Sequence, residues 1–474
     1  MIRKPLWFVP GLILLLSGCS VGPKYAKPTV PSAPVFTEPP PAGWKSAQPA
    51  DAELKGKWWE LFGDSQLNAL EEQVAPANQS LKIADANFRQ ARAQIQIARS
   101  RLAPTVGTAP NISHVRTSSR NPTGIPGREY ALFNLPVSVS WDIDFWGRIR
   151  RSITSATEQY QASAADLENI KLQLQAELAA SYFEARSLDA QKRLLDDTVV
   201  AYQKALDLTR NRYNGGVASR VEVAQAQTQL NQTEAQAMDV TAARAQFQHA
   251  IAVLIGKTPE SYTLPATPLQ GSPPVIPVGL PSQLLERRPD IAIAERQVAI
   301  ANEQIGIAQS AFFPDLVVTA TGGFSAGSMV DWFTWPGRFW SVGPTLAQTI
   351  FDAGRRRAQV QSTQAAYDET VANYRQTSLV ALQEVEDNLS SLRILEEEAA
   401  KQHEATAAAE DSLQLSLNRY KGGLVTYLEV ITAQSIALTN ERTEVDLLRR
   451  RMAGSVQLIK ALGGGWNVNQ LPTS

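Results

Sequence analysis

Two stretches of 67 residues contain neither glycine nor proline, and they constrain the fold more than any other feature of the sequence. They run over Arg148–Asn214 and Arg355–Lys421 and are rich in Ala, Gln, Glu and Leu, which are good helix formers. At 1.5 Å per residue, each would form a helix about 100 Å long. An ordinary globular helix has about three turns. The sequence therefore predicts very long helices that pack against neighbours, and its Ala and Gln content argues against a free-standing coiled coil.

The chain consists of two related halves. Residues 211–227 and 418–434 are identical at nine of seventeen positions, with a constant offset of 207. The same offset pairs Gly147 with Gly354 and Gly256 with Gly463. Two copies are too few for a solenoid. We therefore expect two halves of one architecture, at 58–258 and 282–466. A Pro-rich linker at 259–281 joins them, and a short tail follows at 467–474.

Each long helix is expected to end in a tight turn. Two consecutive glycines follow it, and glycine is the residue that most often stops a helix at its carboxyl end. These glycines are Gly215, Gly216, Gly422 and Gly423. A capping-box pattern follows each pair, so that a new helix starts at once. The two boxes are Ser219 with Glu222 and Thr426 with Glu429. The predicted unit is a helical hairpin whose returning helix covers 219–255 or 426–462.

A shorter helix opens each half, at 65–103 and 282–313. Together, an opening helix and a returning helix are about as long as one long helix, so we expect them to stack end to end beside it. Between the opening and long helices, residues 133–141 alternate between apolar and polar side chains, which is typical of a strand. Its partner is predicted at 105–116, and the second half repeats this hairpin at 316–324 and 339–348.

Strands of about ten residues with flanking aromatic residues are typical of transmembrane β-barrels, although hairpins over a soluble core remain an alternative. One chain supplies four such strands, whereas the smallest membrane barrels need about eight. A sheet cannot expose open edges to lipid. If the strands lie in a membrane, several chains must share one barrel. A trimer would supply twelve strands, and the shared helices would continue its lumen as a conduit.

The first eighteen residues have the features of a signal peptide: Arg3 and Lys4, then a short apolar core. They lead to Leu-Ser-Gly-Cys at 16–19, which resembles a bacterial lipobox, and Cys19 is the only cysteine of the chain. We expect Cys19 to be lipidated, and Ser20 after it favours the outer membrane. A Pro-rich segment extends to residue 57. A thiol near a cleavage site is the alternative.

Several functions are disfavoured by composition and motifs. A formal net charge of −1 argues against a nucleic-acid partner. One cysteine and three scattered histidines argue against a metal site. The chain has no phosphate-binding loop, dinucleotide fingerprint or hydrolase nucleophile elbow, so we predict neither catalysis nor a cofactor. Asp142 and Asp144 could pair as a general acid and base, but they lie at a strand-to-helix junction and are more simply explained as polar residues of a lumen or rim.

The order of several motifs resembles a known family. The motifs are Leu-Ser-Gly-Cys-x-Val-Gly-Pro-x-Tyr at 16–25, Trp-Trp-x-x-Phe at 58–62, Asp-Phe-Trp-Gly-Arg at 144–148, Glu-Arg-Arg-Pro-Asp-Ile at 286–291, Ala-Phe-Phe-Pro at 311–314 and the two Arg-Tyr-x-Gly-Gly tips. Over nearly the whole mature chain, this pattern resembles the TolC-like outer-membrane factors, specifically the lipidated NodT-type branch of tripartite efflux systems.

The resemblance implies a mainly α-helical homotrimer with a twelve-stranded outer-membrane β-barrel and a twelve-helix periplasmic tunnel. It also implies two partners: a periplasmic adaptor and an inner-membrane pump of the resistance-nodulation-division class. The chain would be a passive duct for small molecules. The alternatives are a type I protein-secretion duct, which uses the same fold, and a lipoprotein scaffold without a pore.

In that family the helix tips close the tunnel, and carboxylates near the second tip ring the constriction. The resemblance places Glu429 at such a position, and Glu222 is its repeat mate. At Thr432 many relatives carry Asp, so a double acidic ring is not expected. Both glutamates have helix capping as an alternative role. Gating contacts are also expected on the last turn before each tip, where helix-dipole complementarity alone would explain the arginines. These residues are Arg212, Tyr213, Arg419 and Tyr420.

Overall fold

The computed structural model describes residues 20–30, 35–39, 56–120, 127–277 and 281–472. The signal peptide at 1–18 and the lipidation expected at Cys19 lie outside these ranges. The helices are α1 (Ser65–Ala77), α2 (Gln79–Ser100), α3 (Arg148–Asn214), α4 (Arg220–Leu254), α5 (Leu284–Arg287), α6 (Pro289–Ser310), α7 (Arg355–Lys421) and α8 (Tyr427–Ala461). The strands are β1 (Thr105–Thr108), β2 (Asn111–Arg116), β3 (Glu129–Asp142), β4 (Asp315–Ala326) and β5 (Arg338–Ala347).

The two long helices, α3 and α7, have the bounds that the absence of glycine and proline predicts. Each packs against its returning helix: α4 lies along α3, and α8 lies along α7. The halves are joined by further contacts of α3 with α6 and α8. Among the described residues, no helix is both long enough and apolar enough to span a bilayer.

The prediction of a single opening helix in each half was wrong. The first is divided at Asn78, whose backbone is extended and whose side-chain oxygen accepts hydrogen bonds from the amides of Ser80 and Leu81. The second begins as a 3₁₀ turn at Pro281–Gln283, continues as α5 and restarts as α6 at Pro289. Arg288 is extended because the residue before a proline is disfavoured in the helical region.

The opening and returning helices meet end to end, and glycines make the junctions possible. The Asn78 side-chain amide donates to the carbonyl of Leu254 at 2.9 Å. At the same junction Gly256 has a φ of +69°, and a Cβ there would lie 2.5 Å from the carbonyl oxygen of Ala77. Its repeat mate Gly463 would place a Cβ 2.1 Å from the carbonyl oxygen of Arg287. The repeat at these glycines therefore reflects one packing constraint that is used twice.

The strands form one antiparallel sheet in which β3 pairs with β1 and β2 on one side and with β4 on the other, and β4 pairs with β5. The single strand predicted at 105–116 is interrupted near Pro110, since proline has no amide to donate to a ladder. Both β1 and β2 pair with β3, so the sheet remains four strands wide. The described residues provide no further partner for β5 or for the outer side of β1 and β2.

The register gives the sheet two chemically different faces. Val139 is paired with both Val106 and Ala320, and Ala320 is paired with Val342. One position along, Ser138 is paired with Gly107 and Thr321. Because neighbouring positions on a strand point to opposite faces, one face is apolar across the strands and the other is small and polar. The apolar side chains remain open to the surroundings, as the 80% exposure of Trp340 on β5 illustrates.

Candidate functional site

The candidate site lies at the turns that connect α3 to α4 and α7 to α8. At the first tip the amide of Gly216 donates to the carbonyl of Tyr213, and at the second the amide of Gly423 donates to that of Tyr420. Gly216 and Gly423 have φ values of +74° and +75°, whereas Gly215 and Gly422 keep a right-handed conformation. Only the second glycine of each tip therefore adopts the left-handed backbone conformation that the turn requires.

An arginine of the first hairpin reaches across to the second hairpin. The Arg212 guanidinium carbon lies 4.6 Å from the centroid of the Tyr420 ring. Its Nη1 donates a 2.9 Å hydrogen bond to the Tyr420 carbonyl oxygen. This carbonyl lies in the last turn of α7, where the helix dipole favours a positive charge. Arg212 thus makes both a cation–π contact and a charge-assisted hydrogen bond to the same residue of the other tip.

The Tyr420 side chain connects both hairpins through its hydroxyl as well. The hydroxyl donates to Glu222 Oε2 at 3.3 Å and lies 3.4 Å from the Thr209 hydroxyl. The ring packs against Tyr427, with centroids 5.3 Å apart. Burial, together with the nearby Glu222 carboxylate, raises the pKa of Tyr420. Burial also raises the pKa of Tyr427 to about 12. Both phenols therefore stay neutral at physiological pH and act as hydrogen-bonding groups.

The two glutamates have different environments. Glu222 forms the predicted capping box: its amide donates to the Ser219 side-chain oxygen at 3.3 Å, and its Oε1 accepts from the Ser219 amide at 3.2 Å. The capping box predicted at Thr426 was wrong, because the Thr426 side chain makes no capping hydrogen bond. Glu429 instead accepts a 2.9 Å hydrogen bond from Arg419, in an exposed ion pair. Its carboxylate is therefore turned toward the preceding helix.

The repeat does not extend to the packing of the tips. Tyr420 is 1% exposed, whereas its repeat mate Tyr213 is 45% exposed. Arg212 contacts the opposite hairpin, whereas its mate Arg419 bonds within its own hairpin. Thr432 lies one turn into α8, and its hydroxyl donates to the carbonyl of Leu428. The structure therefore brings Arg212, Tyr420 and Glu222 together and leaves the remaining candidate side chains outside this cluster.

Three residues that pack around this cluster were missed by the sequence reasoning: Thr209, Tyr202 and Tyr427. Tyr202 and Tyr427 are buried with Tyr420, Leu206 and Leu230 in a small apolar core next to the tips. The sequence did offer a signal for Tyr427, because the corresponding residue of the first half is Arg220 and the repeat is broken at that position. Within the described ranges, no three His, Cys, Asp or Glu side chains are grouped so as to hold a metal ion.

Comparisons of the sequence and of the structure match this chain to the same class of known proteins. The sequence model of the family described as outer membrane efflux protein matches residues 70–257 and 280–464. The solvent efflux pump outer membrane protein SrpC of Pseudomonas putida is 30% identical over 460 residues, which cover 97% of this chain and 98% of the relative. The outer membrane protein OprJ of Pseudomonas aeruginosa is 29% identical over 472 residues, with 98% and 97% coverage. The solved outer-membrane channel OprN superposes with a TM-score of 0.87 at 28% identity, over 94% of this chain and 100% of that chain.

Proposed function

The chain belongs to the outer membrane efflux protein family, and from this premise we propose that three copies form a gated duct through the outer membrane and periplasm. Its localisation is the outer membrane, and its relatives are efflux components rather than enzymes. We propose, as the resemblance implies, that the duct is passive and that the energy comes from an inner-membrane partner.

The observation that carries the assembly is the sheet with two unlike faces and two outer edges, formed by β5 and by β1 with β2, for which the described residues supply no partner. Val342 and Leu346 on β5 are exposed on the apolar face, and Ser138 and Thr321 lie on the polar face. Lipid would solvate the first face and water the second. Open edges cannot face lipid. Pairing β5 of one copy with β1 and β2 of the next closes the sheet, and three copies give twelve strands.

The helices would continue this lumen below the membrane. The helices α3 and α7 are each about 100 Å long, and each opening helix stacked on its returning helix would form a composite helix of similar length. Three copies would therefore supply twelve helix positions around one tunnel. In this division each half, 58–258 or 282–466, supplies one long helix and one composite helix. Residues 259–281 link the halves, and 467–474 form a tail.

The gate in this proposal is the contact between hairpins at the tips. Arg212, Tyr420 and Glu222 hold the first hairpin to the second by three interactions. Glu222 has two roles, because it caps α4 and also accepts from Tyr420. Glu429 and Arg419, which are exposed beside the second tip, would set the charge at the entrance, and Thr432 would leave a single acidic ring there. Tyr213 would face the neighbouring copy or the lumen.

The partners proposed are a periplasmic adaptor and an inner-membrane pump of the resistance-nodulation-division class. They rest on the resemblance and on the efflux-pump names of the relatives. We also propose that Cys19 carries an acyl chain such as palmitate. The Val21 amide donates to the Trp146 carbonyl at 3.1 Å, where the strands give way to α3. An anchor two residues before Val21 would therefore enter the membrane at the base of the sheet.

The assembly is tested by measuring the mass of the full-length protein after detergent extraction, with light scattering that corrects for bound detergent. Three chains per particle are expected. As a control, the same measurement is made on a variant with Val342→Pro, since a further proline in β5 removes an amide from the edge that would pair with the next copy. A wild type that is monomeric at all concentrations would contradict the shared sheet.

A further inference from the structure

A groove separates α3 from α7 close to the tips. Both helices pack against α8, which lies beneath the groove. The cavity has a volume of about 440 Å³, which is in the range of sites for small organic molecules. Residues of α3, α7 and α8 line it, and they include Tyr202, Leu208, Leu413, Leu417, Tyr420 and Gln434. Apolar and aromatic side chains thus dominate its walls.

One polar group in this lining lacks a partner. Gln434 is 4% exposed, and its side-chain carbonyl oxygen has no hydrogen-bond partner among the residues that the structure describes. A buried acceptor without a donor is costly, because it has lost its hydrogen bonds to water. Gln434 lies on the same surface as the leucines and tyrosines of the groove. Once the Gln434 amide turns toward the groove, an occupant that presents one N–H or O–H group would satisfy it.

The charged side chains that line the groove do not favour an ion of either sign. Asp197 and Glu441 are negative, and Lys204 and Lys421 are positive. Two negative and two positive side chains give the lining no net charge. The remaining lining is apolar, so affinity would come mainly from burial of apolar surface. The chemistry therefore selects a neutral molecule with a compact apolar body.

We propose that this groove binds a small neutral amphiphile, with an aromatic or aliphatic body and a single hydrogen-bond donor directed at Gln434. A phenol is the simplest molecule of this class. Its apolar body packs between Leu208 and Leu417, next to Tyr420. The site is formed within one chain, so its existence does not depend on assembly.

The occupant is coupled to the tips, and this part of the inference rests on the proposed function. The groove has α3 on one side and α7 on the other, so it keeps its width only while the two hairpins keep their separation. The contact of Arg212 with Tyr420 fixes the same separation. Two interactions that favour one arrangement strengthen each other reciprocally. A bound amphiphile therefore holds the tips in this arrangement and lowers channel opening.

The binding test uses 2-naphthol as the probe and 2-methoxynaphthalene, which has no donor, as the matched probe. Equilibrium dialysis is carried out with the full-length protein in lipid nanodiscs. Ala201→Trp fills the groove from an exposed position of α3 that lines it. Ala408→Trp places the same side chain at an exposed position of α7 outside the groove lining. Subtracting the Ala201→Trp signal removes partition into lipid.

Wild type and Ala408→Trp are expected to bind 2-naphthol saturably, and Ala201→Trp is expected to lose that component. Gln434→Met keeps the length of the side chain and removes the acceptor. This variant should bind 2-naphthol about fivefold to tenfold more weakly, as expected for the loss of one hydrogen bond, and should bind 2-methoxynaphthalene with unchanged affinity. Equal binding by wild type and Ala201→Trp would overturn the site. A Gln434→Met effect of the same size on both probes would overturn the role of Gln434.

The coupling is tested by adding 2-naphthol to channels in a planar bilayer. Open probability should fall several-fold for wild type and stay unchanged for Ala201→Trp. Saturable binding without any change of current would overturn the coupling to the tips. A protein that binds the probe at the groove but never conducts would contradict the proposed duct and leave the binding site supported. The two failures are therefore distinguishable.

Discussion

Arg212 of the first hairpin covers the ring of Tyr420 of the second at 4.6 Å and donates a hydrogen bond to its carbonyl oxygen at 2.9 Å. Both interactions involve one buried tyrosine in the last turn of a long helix. No equivalent link is made by the repeat mates, since Arg419 bonds to Glu429 in its own hairpin and Tyr213 is exposed. The connection between the tips is therefore asymmetric, because Arg212 and Glu222 of the first hairpin both contact Tyr420 of the second.

Replacing Arg212 by Ala should loosen the tips by about 2 kcal/mol, since a cation–π contact and a hydrogen bond to a charged donor are lost together. We expect cells that produce Arg212→Ala to admit a dye that the intact outer membrane excludes. Arg419→Ala is the matched control, because it removes only an exposed ion pair worth about 0–1 kcal/mol. Equal dye entry in both variants would argue against the role of Arg212.

The two tips should respond differently to removal of their capping residues. Ser219→Ala should weaken the start of α4 by about 1 kcal/mol, since Ser219 caps that helix. Thr426→Ala should leave the start of α8 nearly unchanged, since Thr426 makes no capping hydrogen bond. Hydrogen–deuterium exchange of the first turns of the two helices is the measurement. Faster exchange at both starts would show that Thr426 caps in solution.

These tips illustrate which features were predictable from the sequence. The bounds of α3 and α7 follow from glycine and proline, which act locally, and they were predicted correctly. The break at Asn78 was missed although its cap on Ser80 and Leu81 is local, and the hydrogen bond from Asn78 to Leu254, 176 residues away, is the part that no local pattern carries. The repeat led us to expect equivalent tips. Arg212, however, contacts Tyr420 rather than a residue of its own hairpin, and no pattern within one half carries that information.

Glu71 should make the protein less stable as the pH rises. It is 1% exposed on α1, and neither carboxyl oxygen has a partner among the described residues. Burial raises the pKa of Glu71 from 4.5 to about 9. The folded state thus holds a proton that the unfolded state releases above pH 4.5. The contribution of Glu71 to the free energy of unfolding is therefore complete below pH 4.5. It declines as the pH rises to about 9, with a limiting slope of about 1.4 kcal/mol per pH unit.

Glu71→Gln should therefore raise the unfolding temperature at pH 8 and flatten its decline between pH 5 and pH 8. The neighbouring residue provides the control, because Glu72 is exposed and paired with Lys57. Glu72→Gln should retain the wild-type slope. Thermal unfolding followed by circular dichroism over this range measures the effect. Identical slopes for wild type and Glu71→Gln would show that Glu71 is ionised in the folded protein.

Arg151 should be essential for holding the N-terminal segment. Its Nε and Nη2 donate to the carbonyls of Val21 and Pro23 at 2.6 and 3.1 Å, and its Nη1 donates to Glu303 at 2.8 Å. Arg151→Met leaves Glu303 as a buried charge without its partner, at a cost of about 3–5 kcal/mol. Adding Glu303→Gln should recover most of this loss, although residues 21–23 stay released. Denaturant unfolding and hydrogen exchange of that segment test the two effects separately.

The central claim is that the chain forms a duct whose tips restrain the current, and single-channel recording in a planar bilayer tests it most directly. The wild type should give small, brief openings, and Arg212→Ala and Glu222→Ala should each lengthen them several-fold, while Glu429→Ala changes mainly the preference for cations. These results would support the duct and the Arg212–Tyr420–Glu222 contact as its restraint. If the correctly assembled wild type and both tip variants pass no current, the account is contradicted.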